Sequence, residues 1–93
     1  MKDIIQVRVN IKGRVQGVFF RASTRDAALA AGVQGYVKNL EDGSVEAVFQ
    51  GTKAQVNQMV DWCHKGSPLS SVSSVDTTPC TVHSDYSAFS ITY

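Results

Sequence analysis

The feature that most constrains the fold is a run of eight residues in which apolar and polar side chains alternate without exception. The β-branched residues are Ile5, Val7, Val9 and Ile11, and the polar residues between them are Gln6, Arg8, Asn10 and Lys12. A period of two predicts a β-strand with one buried face. Because 93 residues suffice for a single core, we expect one domain over residues 1–93 that covers this apolar face.

An α-helix and a hairpin are predicted next along the chain. Residues 21–31 are rich in alanine, and Gly32 stands where glycine commonly ends a helix. Residues 33–40 and 44–50 predict two strands, because the Asp-Gly pair between them is a signal for a tight turn. We therefore expect the first helix to lead into an antiparallel pair of strands.

A second helix follows the hairpin. Thr52 and Gln55 have the spacing of a capping box, which marks the start of a helix. An apolar stripe with helical spacing comes next: Val56, Met59, Val60 and Cys63. Gly66 and Pro68 are expected to end this helix.

The remaining residues complete the predicted architecture. A serine-rich connection over residues 67–74 leads to a strand predicted within residues 75–82, and residues 88–93 predict a short last strand. The order β-α-β-β-α-β with a short C-terminal strand is typical of an α+β, ferredoxin-like two-layer sandwich. In that fold two helices cover one face of an antiparallel sheet.

The composition excludes several classes of protein. With 43% hydrophobic and 18% charged residues, the chain is typical of folded globular proteins rather than of disordered ones. No apolar run approaches the roughly 20 residues that a membrane-spanning helix needs, and the N-terminal residues contain no apolar block typical of a signal peptide. We therefore expect a cytoplasmic protein with no membrane partner.

The cysteines and histidines are too few to suggest a disulfide scaffold or a metal site. Cys63 and Cys80 form no Cys-x-x-Cys motif, so we expect two reduced, partly buried thiols, with a disulfide as the alternative. His64 and His83 lack the spacing of paired metal ligands. Residues 83–85, His-Ser-Asp, contain the residue types of a hydrolase triad, but three consecutive residues cannot form the required relay.

The net charge of +1 conceals an uneven distribution of basic residues. Within the first 25 residues Asp3 is the sole acidic residue, and the basic residues there are Lys2, Arg8, Lys12, Arg14, Arg21 and Arg25. A basic segment in a nearly neutral protein favours a small anionic ligand over a nucleic acid. A scatter of solvated charges explains the same pattern equally well.

The loop after the first strand, residues 13–21, has the chemistry of an anion site. Its two glycines allow successive backbone N–H groups to turn toward one point in front of a helix, which favours an anion of phosphate size. Arg21 can add a bidentate contact to two phosphate oxygens. The loop lacks the Lys-Ser or Lys-Thr pair of a Walker A motif. Taken alone it is a weak signal, and a solvated first-turn arginine is the simpler interpretation.

Two long motifs carry a resemblance to a known family. Residues 13–21, Gly-Arg-Val-Gln-Gly-Val-Phe-Phe-Arg, resemble the acylphosphatase signature, in which a Val-Gln-Gly-Val core leads to an aromatic residue and an arginine. Residues 35–46, Gly-Tyr-Val-Lys-Asn-Leu-Glu-Asp-Gly-Ser-Val-Glu, resemble the second signature of the family. The similarity extends to residues 66–68 and 89–91, so it covers essentially the whole chain.

The resemblance implies hydrolysis of the carboxyl–phosphate bond of acyl phosphates, with acyl phosphates and inorganic phosphate as ligands and with no cofactor or metal. It implies that Arg21 binds the phosphate and that Asn39 positions the attacking water. The backbone N–H groups implied to form a phosphate cradle belong to Val15, Gln16, Gly17, Val18, Phe19 and Phe20. We also expect a monomer, and we hypothesise that the last strand and its carboxylate help to hold Arg21.

Two other functions fit the predicted fold. An RNA-recognition motif would need aromatic residues at matched positions on its central strands, whereas Phe19 and Phe20 fall in the first loop and the charge is nearly neutral. We therefore expect no nucleic-acid partner. A phosphate-binding regulatory module without catalysis is the third interpretation, and the presence of both Arg21 and Asn39 argues against it.

Overall fold

The computed structural model describes residues 3–82 and 86–92. These residues form five strands and two helices in the predicted order. The elements are β1 (Ile4–Arg14), α1 (Phe20–Ala31), β2 (Gln34–Asn39), β3 (Val45–Thr52), α2 (Lys53–Lys65), β4 (Ser71–Cys80) and β5 (Phe89–Ile91). The predicted α+β sandwich is therefore confirmed.

The strands form one sheet with the order β4-β1-β3-β2-β5. Strand β3 is antiparallel to both β1 and β2, so β1 and β2 run in the same direction and end at the same edge. One pairing differs from the predicted antiparallel sheet, because β5 is parallel to β2. β4 is antiparallel to β1 and therefore runs opposite to β2, so the next strand, β5, becomes parallel to β2 when it runs opposite to β4.

The core lies between the sheet and the two helices. The alternation predicted for β1 is confirmed over residues 7–12, where Val9 and Ile11 are fully buried and Val7 nearly so, but it fails at Gln6, which is buried although it was predicted on the polar face. The other buried side chains of the sheet and the helices include Val37, Val45, Ala47, Phe49, Phe20, Ala28, Val56, Met59 and Cys63. Each large apolar side chain that is fully buried contributes about 1.5–3 kcal/mol to folding. The single cluster that they form accounts for the two-layer arrangement.

Both helices begin and end close to the predicted residues. α1 begins at Phe20, one residue earlier than predicted, and Gly32 ends it in the left-handed conformation at φ 78°. α2 has the predicted capping box: the backbone N–H of Gln55 donates to the Thr52 hydroxyl at 3.3 Å, and that of Thr52 donates to the Gln55 amide oxygen at 2.9 Å. The predicted stripe of α2 is confirmed at its three fully buried members, and Val60 is partly buried against the core.

The prediction for β4 was wrong at its start. The strand begins at Ser71 rather than near residue 75, so it takes in much of the serine-rich segment expected to be a connection. Arg14 pairs with Ser71 and Gly13 with Val72 across a bulge, and these pairings extend the strand. Most of β4 is exposed at the edge of the sheet, so its sequence carries no alternation that could reveal it. The candidate triad at residues 83–85 lies outside the described residues.

The two cysteines differ in burial, and this difference generates a prediction. Both are free thiols, and Cys63 is fully buried whereas Cys80 is partly exposed. Burial raises the pKa of the Cys63 thiol to about 12, which lowers its thiolate fraction at every pH below that value. We expect the folded protein to react with Ellman's reagent at Cys80 alone at pH 8, and Cys80→Ser to lose that reaction. Rapid modification of both thiols before unfolding would contradict the described packing.

Candidate active site

A cavity lies at the edge of the sheet where β1 and β2 both end and α1 begins. Its volume is about 300 Å³, and its lining residues are Val15, Gly17, Phe19, Phe20, Arg21, Ala22, Asn39 and Ile91. The structure therefore brings Arg21 and Asn39 together in one cavity, as the resemblance implied. Such a volume is at the small end for ligand pockets and suits a small molecule.

In the loop between β1 and α1, the sign of the backbone angle φ alternates over residues 17–19. Gly17 has φ 73° and Phe19 has φ 60°, whereas Val18 between them is not in the left-handed region. Alternation of left-handed and right-handed residues turns successive N–H groups into a concave nest that binds anions. In the described part of the chain, no hydrogen bond has the N–H of residues 16–20 as its donor. Five successive donors are therefore available next to the positive end of the α1 dipole.

Phe19 is the one residue other than glycine with a positive φ in the described ranges. A non-glycine residue in this conformation costs on the order of 1–2 kcal/mol. Phe19 occupies the N-cap position of α1 without a side-chain capping bond, and 75% of its surface is exposed. The loop therefore adopts a strained conformation that contacts elsewhere in the molecule must stabilise.

Gln16 provides one of these contacts, to the turn that follows Asn39. Its side-chain Nε2 donates to the carbonyl oxygen of Leu40 at 2.8 Å and to that of Ser44 at 2.9 Å. Ser44 is itself fixed, because its backbone N–H donates to the Asp42 carboxylate at 2.9 Å. The Gln16 side chain therefore holds the loop at a set position relative to Asn39. Of the six residues implied to form the phosphate cradle, Gln16 and Val18 do not line the cavity, and the four that do are Val15, Gly17, Phe19 and Phe20.

Ser67 and Phe20 fix the loop on the side of α2. The Ser67 hydroxyl is buried and donates to the carbonyl oxygen of Val18 at 2.9 Å. The Phe20 ring is buried beside the Trp62 ring, with centroids 5.4 Å apart. Ser67 belongs to the Gly-Ser-Pro segment at 66–68 that the resemblance includes, but the sequence assigns it no partner. Trp62 is partly buried and packs against the core cluster.

Asn39 reaches the cavity because it is the last residue of β2 and shares a face with Val37. Alternation along the strand places Val37 in the core and Asn39 two positions further on, at the uncovered end of the same face. Its carboxamide oxygen Oδ1 is buried and has no hydrogen-bond partner within the described residues. Lys38 lies on the opposite face, where its Nζ is 3.6 Å from the Glu46 carboxylate.

Arg21 is the second residue of α1 and lines the cavity from the first turn of that helix. This position places its side chain beside the available N–H groups of the loop. The hypothesis that the carboxylate of the last strand helps to hold Arg21 concerns Tyr93, which lies outside the described residues. Ile91 and Ala22 also line the cavity, and no property of the sequence apart from their proximity to predicted residues indicated this.

A larger cavity, of about 740 Å³, lies between α1 and the end of α2. Its charged lining residues, Asp26 and Lys65, have opposite signs, and none of residues 15–19 line it. The smaller cavity is the better candidate for an anion site because the available N–H groups and Arg21 are there. In residues 3–82 and 86–92 no group of three or more His, Cys, Asp or Glu could hold a metal ion, and neither helix there is long and apolar enough to cross a membrane.

Comparison with known proteins identifies the family. The family model for acylphosphatases matches residues 7–91. The acylphosphatase of Natronomonas pharaonis is 54% identical over 76 residues, which are 82% of this chain and 83% of that protein. The acylphosphatase of Syntrophobacter fumaroxidans is 47% identical over 91 residues, 98% of this chain and 94% of that protein.

Solved structures agree with the sequence comparisons. The structure of an acylphosphatase from Coxiella burnetii is similar with a TM-score of 0.92 at 37% identity, over 97% of this chain and 94% of that one. The chain is thus a ferredoxin-like enzyme of the hydrolase class. It belongs to the acylphosphatase family, whose function is the hydrolysis of acyl phosphates.

The Gln16 contacts generate a prediction about stability. Gln16→Leu removes both side-chain hydrogen bonds, but the Leu40 and Ser44 carbonyls each keep one backbone donor. We therefore expect the free energy of unfolding to fall by about 1–2 kcal/mol, since each bond contributes about 0.5–1.5 kcal/mol. Urea denaturation would measure this change. The matched control is Gln58→Leu at an exposed position of α2, and equal effects of the two substitutions would contradict the assigned role.

Proposed function

We propose that this chain hydrolyses acyl phosphates by direct attack of water on phosphorus, with the water positioned by Asn39. The observation that carries the proposal is that Asn39 lines the same cavity as Arg21 and that its carboxamide oxygen is buried without a partner among the described residues. A buried acceptor without a donor costs about 1–3 kcal/mol. A small rotation of the side chain lets a water molecule in the cavity donate to this acceptor, and the water is thereby oriented for attack.

The phosphate is proposed to lie against the loop, held by Arg21 and by backbone N–H groups of residues 15–20. Five of these N–H groups, at residues 16–20, have no acceptor within the described part of the protein, and the positive end of the α1 dipole adds to their attraction for an anion. Guanidinium and N–H donors that surround the equatorial oxygens stabilise the charge that they carry in the transition state. Positioning and electrostatic stabilisation then supply most of the rate enhancement.

The leaving group explains why the proposed site works without a general acid. When water forms its bond to phosphorus, the bond from phosphorus to the carboxyl oxygen breaks, and the electron pair leaves with the carboxylate. Carboxylic acids have pKa values of about 4, so the carboxylate is stable at neutral pH without protonation. The proton of the attacking water passes to an oxygen of the phosphate, because Asn39 has no basic group. The products are a carboxylate and inorganic phosphate.

We propose further that the enzyme works as a monomer in the cytoplasm. The monomer is supported by the position of Arg21 and Asn39, which meet in one cavity of a single chain, so the proposed chemistry needs no residue of a second subunit. The compartment is supported by Cys63 and Cys80, which are free thiols and are typical of a reducing environment.

The role of Asn39 generates a kinetic prediction. Asn39→Ala removes the acceptor for water and leaves the loop intact, so kcat for benzoyl phosphate is expected to fall by about 100-fold or more, with little change in inhibition by inorganic phosphate. Turnover is followed by ultraviolet absorbance with EDTA present. Asn57→Ala, at an exposed position of α2, is the control and should retain full activity. An Asn39→Ala enzyme with near-normal kcat would exclude the water-positioning role.

The role of Arg21 generates a second kinetic prediction. Arg21→Ala is expected to raise the inhibition constant of inorganic phosphate by about 10- to 100-fold, because hydrogen bonds to charged groups contribute about 1.5–3 kcal/mol. Turnover should fall as well. Arg25→Ala, one helical turn further on, serves as the control, since Arg25 does not line the cavity. Normal inhibition by phosphate in Arg21→Ala would mean that the anion binds elsewhere.

A further inference from the structure

The Phe19 side chain has no visible role in folding. It is absent from the core cluster, and the aromatic ring contacts in the described ranges do not include it. At 75% exposure it is the most exposed of the large hydrophobic residues described. A left-handed N-cap position favours glycine or a short polar residue that can bond the first turn. Phenylalanine neither adopts the left-handed conformation easily nor offers a polar atom to bond the first turn. Because the side chain is exposed, burial of the ring does not offset the cost of the strained backbone.

The position of the ring suggests a ligand instead. Phe19 lines the same cavity as Arg21 and Asn39. The other apolar residues that line this cavity include Val15, Ala22 and Ile91. The backbone of residues 16–20 presents N–H donors suited to phosphate, and Phe19 belongs to the same loop, so a phosphate bound there would have the Phe19 side chain as a neighbour. Strained residues cluster at binding sites, where the strain fixes a side chain in a useful direction.

The substrate has a part that the phosphate contacts do not recognise. An acyl phosphate consists of a dianionic phosphate and an acyl group whose carbon skeleton has no charge to bind. Water attacks in line with the departing carboxylate, so the acyl group points away from the water and out of the phosphate cradle. The acyl group therefore needs an apolar surface at the mouth of the cavity, and the Phe19 ring is such a surface.

We propose that the Phe19 ring is the binding surface for the acyl group, and that the preferred substrates are acyl phosphates with aromatic or other extended apolar acyl groups. This inference rests on the proposed function, since it presupposes that phosphate binds at the loop. An aromatic acyl group stacks on the ring, whereas an acetyl group covers little of it. Discrimination between substrates therefore depends on residue 19, while the chemical step depends on Arg21 and Asn39.

The test compares two substrates in the same enzyme. We expect Phe19→Ala to lower the ratio of kcat/KM for benzoyl phosphate to kcat/KM for acetyl phosphate by about fivefold, the effect of losing one aromatic contact. A ratio is used because any disturbance of the phosphate cradle changes both numbers and cancels. Phe19→Gly, which also relieves the backbone strain, should lower the ratio equally. Phe19→Tyr keeps an aromatic ring and should therefore keep the ratio at the wild-type value.

Leu29→Ala is the control, because Leu29 is also an exposed large apolar residue but lies in the last turn of α1 and does not line the cavity. It should leave the ratio unchanged. A ratio that stays at the wild-type value in both Phe19→Ala and Phe19→Gly would overturn the acyl-binding role while the proposed function stands. A folded wild-type enzyme that hydrolyses neither substrate would overturn the proposed function, and this inference with it.

Discussion

The site depends on one constraint of the sheet, which is that β3 is antiparallel to both β1 and β2. Two strands that each run opposite to a third run in the same direction, so the loop after β1 and Asn39 at the end of β2 come to the same edge. α1 begins at that edge as well, and its dipole adds to the attraction for an anion. The two hydrogen bonds from Gln16 then fix the distance between the loop and the strand.

The parts of the fold that the sequence predicted are those in which a local pattern corresponds to a local structure. The alternation in β1 reflects a strand with one face in the core, and the Thr52–Gln55 capping box needs only the residues at one helix end. No local pattern marks Arg21 and Asn39 as functional, because an arginine in the first turn of a helix and an asparagine before a tight turn both have ordinary structural explanations. Their prediction as site residues rests on the paired motifs of the family and not on any local rule.

The parts that could not be predicted depend on contacts between distant residues. The start of β4 is set by pairing of Ser71 with Arg14, and its exposed edge leaves no pattern in the sequence. The hydroxyl of Ser67 donates to the carbonyl oxygen of Val18, which lies far from it along the chain. The sequence around a serine does not indicate which distant carbonyl its hydroxyl will bond. The left-handed conformation of Phe19 contradicts the usual preference for glycine or asparagine there, so local rules would have predicted the opposite.

In the proposed site, one loop contributes both backbone donors for the phosphate and a side chain for the acyl group, and mutation affects these two contributions differently. Every residue except proline carries a backbone N–H, so the donors of residues 16–20 survive most mutations that preserve the course of the chain. The side chain at residue 19 is exposed and supports no part of the core, so its replacement leaves the fold almost untouched. If residue 19 binds the acyl group as proposed, genetic drift at this one position can redirect an acylphosphatase toward new metabolites while its inherited chemistry stays intact.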